Sequence, residues 1–500
     1  MLDDDPQLEA ALAETVAALD APAAAESLRA DPYWPKWESP WWRILLLVEL
    51  GLAARVPPGA VEALAEVCRD HWLPDFPLRL EDVPAGKDPH RHIACHCAVG
   101  SLALMLDACG LEPDARLPWL RPWLLRWQLP DGGLNCDEAA YTRPTPRSSL
   151  VSTLPALEAV LRATHRPFTP EEEGFLDRGA EYLVARRLWR SLSKGGAPMD
   201  PTWARPCFPR FYEYDLLRGL SFLVGWAERR VRPLPRAAME EAAGLIAARL
   251  DAQGQLSPGR QAWAGARGPR REDGQWVGGR PTRSFPLLEL VSAPGRPSPA
   301  LTRAWRAVQA ALEADRAGRP QAIRTPRLRL VPTDAASAAA GAEGSAELGA
   351  ALGARVPAGW PPRVPGDDGS MTRQAFAFVR ERLSAEPGLV GWWGWWALRP
   401  PRAGDGPPEL VGTVSPKGPP DAEGTVELAW ALTAEAEGQG YATEAAAGLL
   451  AWVRRDPRTR RVVAETLPEL TGSLRVMEKL GMRPAGPGSE PGVVRWGLKV

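Results

Sequence analysis

Lysine is scarce in this 500-residue chain. Only Lys36, Lys87, Lys194, Lys417, Lys479 and Lys499 occur, so arginine supplies nearly all of the 60 basic side chains. Those 60 bases face 61 acids for a net charge of −1, which excludes an overall electrostatic bias toward nucleic acid. The arginine preference, together with the Ala, Pro and Gly load, reflects a GC-rich coding sequence rather than a binding role. Cysteine is equally thin. The six residues at 68, 95, 97, 109, 136 and 207 show no disulfide-framework spacing, which points to a reducing cytoplasm. No apolar run reaches the roughly 18 residues that mark a membrane span. The start, Met1-Leu-Asp-Asp-Asp-Pro6, lacks the basic and apolar regions of a signal peptide. The expectation is a cytoplasmic globular protein with neither a nucleic-acid partner nor a membrane span.

Tryptophan is present in excess, with 22 residues, and 45% of the chain is apolar. The length allows two to four domains with sizeable cores. From about residue 20 to 315 the apolar spacing predicts helices almost throughout, separated by Pro/Gly-rich loops. They fall at Trp41–Gly51, Pro58–Asp70, Ala94–Ala108, Ser148–Arg162, Pro170–Trp189, Tyr214–Arg229, Arg236–Asp251 and Ser298–Ala317. Residues 316–324 read as a linker. Beyond it, short β-like runs alternate with helices in an α/β pattern, interrupted by a loop-like segment, Arg355–Ser370, rich in Pro and Gly.

Within the helical half, Trp127-Gln-Leu-Pro-Asp-Gly-Gly-Leu-Asn-Cys-Asp137 followed by Ser148-Ser-Leu-Val-Ser-Thr-Leu154 resembles a repeat of the squalene cyclase and prenyltransferase class. Three further stations fit the scheme. They are Trp37–Arg43, Phe208–Asp215, and Asp273–Trp276 with Thr282–Phe285. The resemblance implies an all-α α/α toroid of helical-hairpin repeats over 20–315, in which Asp-Gly-Gly turns the chain and aromatics pack between hairpins. It does not carry cyclase chemistry. The Asp-x-Asp-Asp acid is missing from the helical interior, Asp3-Asp4-Asp5 lies at the terminus, and the Asp-rich magnesium motif is missing too.

One cluster there has metal-ligating residue types. His90-Arg-His92-Ile-Ala-Cys95-His96-Cys97 sets His92 and His96 four apart, on one face if the helix starts that early. Cys136 or Asp137 would complete a zinc set with His92, Cys95 and His96. The spacing departs from the Asp, Cys and His set of the protein prenyltransferases, and small buried thiols explain Cys95, Cys97 and Cys109 equally well. The sequence therefore assigns no metal.

The strongest signal lies at Glu437-Gly-Gln-Gly-Tyr-Ala-Thr-Glu-Ala445, between a strand-like run, Thr425–Leu432, and a helix-like run ending at Val453. A glycine turn at a helix N-terminus leaves backbone N–H groups unpaired at the positive end of the dipole, a nest suited to pyrophosphate. With Thr325–Val331, Leu410–Pro420, Glu465–Pro468 and Ser473–Met482, this stretch resembles the GNAT acetyltransferases, in the branch of the ribosomal-protein N-terminal acetylating enzymes. The resemblance covers about 325–500. It implies an α/β fold with a mixed, mostly antiparallel sheet and acetyl-CoA as co-substrate. Two positions depart from the family: Glu437 stands where Gln or Arg is common, and Leu470 where Asn is.

By that resemblance, Gly438, Gln439, Gly440, Tyr441, Ala442 and Thr443 hold the pyrophosphate, and the pantetheine arm pairs with the strand edge near Trp430–Thr433, with Leu432 and Thr433 contacting the cofactor. Glu427 is the leading base for the amine proton, partial burial raising its pKa; a surface ion pair is the other reading. Ser473 would donate to the departing thiolate, or simply N-cap its helix. Glu444 orders the first helical turn. Alternation puts Trp393 and Trp395 on one face and Trp392, Gly394 and Trp396 on the other, one face in the core and one available to an acceptor. The resulting expectation is an N-acetyltransferase acting on a small-molecule amine or a protein N-terminus. The alternative is a non-catalytic binding protein with a degenerate acetyltransferase domain.

Overall fold

The computed structural model describes residues 5–73, 76, 83–85, 89–362, 370–401 and 406–500, without the side chains of Pro89, His90 and Ser370. Asp3, Asp4, the His90 side chain and the 363–369 part of the loop-like segment lie outside the described residues.

The N-terminal half is helical, as its apolar spacing predicts. Its helices include Pro40–Leu50, Pro58–His71, His96–Ala108, Leu150–Arg162, Pro170–Ala185, Leu216–Arg230, Arg236–Ala247 and Pro299–Arg316. Local chemistry starts several of them. Thr169 and Glu172 form a reciprocal capping box, and Asp215 and Ser298 accept N–H bonds at their own helix starts. The helical region begins earlier than residue 20, because Pro6–Asp20 buries Leu8, Ala11, Leu12 and Leu19 in the same core. Gly100 lets His96–Ala108 meet Leu150–Arg162 backbone to backbone: a Cβ there would lie 2.4 Å from the Pro155 carbonyl.

The repeat-like stations fare unequally. Asp131–Gly133 is a turn, with Leu129 N–H donating to the Gly133 carbonyl at 2.8 Å. Trp37 stacks on Phe211 with centroids 5.1 Å apart, joining two stations through their aromatics. Asp273–Trp276 departs from the helical reading. It belongs to an antiparallel hairpin, β1 (Arg267–Glu272) and β2 (Gln275–Pro281), with Asp273 and Gly274 at positive φ in its turn. The segment is rich in Arg and Gly and offers no apolar stripe to a helix.

The C-terminal half is built on an eight-stranded sheet. Its strands are β3 (Ile323–Arg324), β4 (Arg329–Pro332), β5 (Trp395–Arg399), β6 (Glu409–Pro416), β7 (Thr425–Leu432), β8 (Arg461–Thr466), β9 (Arg483–Pro487) and β10 (Val494–Lys499), in the order β3-β4-β5-β6-β7-β8-β10-β9. All neighbours are antiparallel except β7 and β8. Helix Tyr441–Val453 buries Ala445, Ala446, Leu449 and Val453 in one core, while Trp360, Trp396, Leu398 and Leu410 form another. The opening strand is shorter than the expected Thr325–Val331. Thr325 N–H donates to the Leu328 carbonyl (2.8 Å), and the Thr325 hydroxyl accepts from Leu328 N–H (3.1 Å), so 325–328 is a turn ahead of β4. β3 falls inside the segment that reads as a linker.

The two halves are joined by buried charge. Glu228, near the end of Leu216–Arg230, receives Arg329 at 2.7 Å and Arg324 at 3.5 Å. Arg455 adds a bond to the Val231 carbonyl at 2.7 Å.

Candidate active site

The parallel pair β7 and β8 is joined only over its first residues, from Thr425↔Arg461 to Glu427↔Val463. Beyond Glu427 the strands part. β7 stays paired with β6 as far as Leu432, and β8 pairs with β10 as far as Thr466. Among the described residues no strand lies on the β8-facing edge of Leu428–Leu432, and backbone groups on such an edge can accept an extended arm.

The chain then turns into the loop. Thr433 donates to the Val411 carbonyl (3.0 Å), a short turn spans Ala434–Ala436, and Gly438 and Gly440 take φ of +71° and +80°. A Cβ at Gly438 would meet nothing within 4 Å, so backbone conformation, not crowding, calls for glycine there. The N–H groups of Gly438, Gln439, Gly440, Tyr441, Ala442 and Thr443 donate to no acceptor among the described residues. The last three are first-turn helical positions with no intrahelical partner. This is an anion-binding geometry. Glu437, whose carboxylate would repel an anion, is exposed.

One basic residue at this loop escaped the sequence reading. Arg327 donates from Nη1 to the Gln439 carbonyl (2.9 Å) and from Nε to Glu444 (2.6 Å), and its guanidinium lies over the Tyr441 ring at 4.6 Å. Glu444 also accepts from Arg327 N–H and the Thr325 hydroxyl, both at 2.6 Å, so it ties the 325–327 turn to the helix start. The sequence signal was Thr325-Pro-Arg327, hidden by its assignment to a strand.

Glu427 sits half-buried at the point where β7 and β8 part, and its carboxylate pairs with the Lys417 ammonium. That pairing is the ion pair held as the other reading of this strand position, with a lysine as the cation. Ser473 does not cap its helix. Leu470 is the residue before Thr471–Lys479, and Ser473 lies in the first turn, donating its N–H to the Leu470 carbonyl at 2.9 Å. Its hydroxyl makes no hydrogen bond among the described residues. Leu470, 40% exposed, offers no cap bond.

The tryptophan block does not alternate as a strand would, because β5 starts only at Trp395. Trp392 and Trp395 share one core through Trp452, at 4.7 and 5.2 Å, and Trp396 stacks on Phe376 in the other at 4.9 Å. Trp393 is half-buried against Phe378 and Arg382, both 5.4 Å away. A cavity of about 330 Å³ lies at the seam between the halves, lined by Val231, Pro320, Trp392 and Trp452. Neither Glu427, Ser473 nor the 438–443 loop lines it.

In the helical half, the metal-type candidates do not all come together. His92 stacks on His71 at 4.4 Å. His96 is buried with both ring nitrogens engaged, Nδ1 by the Trp123 indole N–H (3.2 Å) and Nε2 by the Tyr141 hydroxyl (3.1 Å), and burial holds its pKa at about 4. Asp137 caps Ala139 N–H at 3.1 Å. Cys95 and Cys136 do meet, and Cys97 joins them.

Residues 327–483 match the family model described as the acetyltransferase (GNAT) domain. The chain is 38% identical over 64 residues to the uncharacterized N-acetyltransferase YnaD of Bacillus subtilis (strain 168), covering 13% of this chain and 38% of that protein. It is 29% identical over 108 residues to YjdG, an uncharacterized N-acetyltransferase of the same strain, covering 22% of this chain and 61% of that one. The chain thus spans less than two thirds of either relative. Among solved structures it is similar to a GNAT-family acetyltransferase from Bacillus anthracis, with 21% identity, a TM-score of 0.25, and coverage of 36% of this chain and 98% of that one. The match to the family model, on the segment that carries the splayed strands and the glycine loop, identifies the C-terminal region as a GNAT acetyltransferase domain.

Proposed function

We propose that the chain is an acetyl-CoA-dependent N-acetyltransferase acting on a primary amine of a small molecule or of a protein N-terminus. The observation that carries this reading is the run of six unpaired N–H groups at Gly438–Thr443, beside an unoccupied strand edge. The pyrophosphate would sit on those N–H groups, with Arg327 adding positive charge. The pantetheine arm would lie along Leu428–Thr433, with Leu432 and Thr433 nearest the loop.

The chemistry is one displacement. The neutral amine attacks the thioester carbonyl carbon, a C–N bond forms, the C–S bond breaks, and the amine loses a proton. Glu427 is the group we assign to that proton, directly or through water, with Lys417 as its resting partner. Ser473, whose hydroxyl makes no hydrogen bond among the described residues, donates a hydrogen bond to the departing thiolate. The domain limits we adopt are 20–315 for an α/α toroid-like scaffold, extended to Pro6 by the helix packed on it, 316–324 for the connection, and 325–500 for the acetyltransferase. The setting we adopt is the bacterial cytoplasm.

The test is thiol release from acetyl-CoA by the purified chain, against primary amines and short peptides with free N-termini. Release that depends on one acceptor class supports the reading and names the substrate. Acetyl-CoA binding without release across the panel contradicts it and favours a binding protein.

A further inference from the structure

The sequence pattern alone assigns no metal, but the fold replaces the expected histidines beside Cys95 and Cys136 with a third thiol, Cys97. Cys95, Cys97 and Cys136 have sulfur atoms within 4.8 Å of one another, Cys95 Sγ and Cys97 Sγ being 3.3 Å apart. Three sulfurs on one zinc ion at ~2.3 Å, at tetrahedral angles, stand about 3.8 Å apart, so the observed spacing brackets what a shared ion requires.

The cluster is held by backbone. Cys95 is the residue before helix His96–Ala108, Cys97 lies in its first turn, and Cys136 follows the Asp131–Gly133 turn. Cys97 N–H points at Cys136 Sγ (3.5 Å), and Cys136 N–H donates to the Ser152 hydroxyl (3.0 Å).

Lys36 supplies the matching charge. Its ammonium donates to the Tyr212 hydroxyl (2.9 Å) and faces the rings of Tyr212, Trp34, Tyr33 and Trp37 at 4.5, 5.2, 5.7 and 5.9 Å. No carboxylate lies within ion-pair distance of it among the described residues. It is within electrostatic reach of all three sulfurs and of Glu213, which is itself paired with Arg260. Zinc with three thiolates carries one net negative charge, which one ammonium balances.

We propose that Cys95, Cys97 and Cys136 bind one zinc ion through three thiolates, with the fourth coordination position open to water or a small soft ligand. Three S–H bonds give up protons to solvent as three Zn–S bonds replace bound waters. Three protein ligands and an open position are the pattern of a reactive rather than a closed structural zinc site. Among the described residues no fourth Cys, His, Asp or Glu joins the cluster, and His96 is turned away by Trp123 and Tyr141.

The test uses the full chain, reduced, stripped of metal, titrated with zinc chloride and dialysed. Elemental analysis is expected to find about one zinc per chain. Cys136→Ser should weaken retention at least tenfold, and Cys109→Ser should not. To separate loss of the site from loss of the fold, the unmutated chain is alkylated with and without zinc and its peptides are weighed. Zinc should protect Cys95, Cys97 and Cys136 but leave Cys109 unchanged. Equal alkylation in the two samples, or a Cys95–Cys97 disulfide in the isolated protein, would overturn the assignment.

Discussion

The network around Arg218 in the helical half closes its donors on protein, whereas the glycine loop of the acetyltransferase half leaves a run of backbone donors open. Buried Arg218 gives its guanidinium to Glu158 (2.7 Å) and to the carbonyls of Phe211 (3.1 Å) and Glu213 (2.7 Å). Nearby Glu49 accepts the N–H groups of Arg210 (2.6 Å) and Phe211 (2.5 Å). Every arm of that network ends on protein, and its task is to hold helices in register. At Gly438–Thr443 the backbone donors meet no acceptor among the described residues. Unpaired donors cost stability unless water or a ligand takes them, so a contiguous run of them at a helix start marks binding rather than packing.

That contrast can be broken in order of expected effect. Arg218→Ala leaves Glu158 buried and unpaired and is expected to cost about 3–5 kcal/mol of stability, read from denaturant or thermal unfolding. An unchanged midpoint would mean that the closed network is not structural. Gly440→Glu puts a Cβ at φ +80° and an anion in the nest. Its expected effect is at least a roughly hundredfold loss of acetyl-CoA affinity, about 2.7 kcal/mol, by calorimetry, with helical content unchanged. Glu427→Gln, in contrast, should leave acetyl-CoA affinity intact and lower kcat by about a hundredfold. An equal fall in both quantities would make Glu427 a structural ion-pair partner of Lys417.

The smallest effect concerns acid. Burial alone would raise the carboxyl of Glu465, but the hydroxyl and N–H of Ser489 and the guanidinium of Arg495 outweigh it and hold the pKa at about 2, against an ordinary 4.5. A depressed carboxylate stabilises the fold above its unfolded pKa and loses that contribution as pH falls toward its folded one. Unfolding measured between about pH 4.5 and 2 should steepen through Glu465, and Glu465→Gln should flatten that limb. Parallel curves for the two proteins would contradict the assignment.

Much of this was legible in the sequence, for reasons that differ by element. β7 and helix Tyr441–Val453 were readable because alternation, then Gly-x-Gly, then a 3.6-residue stripe follow one another without interruption. The helical half was readable from its stripes and caps. The 325–328 turn was not, because it closes through Leu328 N–H donating to the Thr325 hydroxyl, while its residue types suit a strand equally well. The β1–β2 hairpin carries no apolar alternation to announce it. Arg327 reaches Gln439 across 112 residues, and Cys97 reaches Cys136 across 39, contacts that no local pattern encodes. The capping alternative for Ser473 rested on an apolar stripe that starts after it, while the helix itself starts at Thr471.

The central claim is that the six open N–H groups are the pyrophosphate site. It is tested most directly by calorimetry of the full chain with acetyl-CoA and with acetyl-pantetheine, which lacks the pyrophosphate. Binding of acetyl-CoA at least about a hundredfold tighter, with the advantage lost in Gly440→Glu, is the expected result. Equal affinity for the two ligands, or an advantage that survives the substitution, would contradict the account.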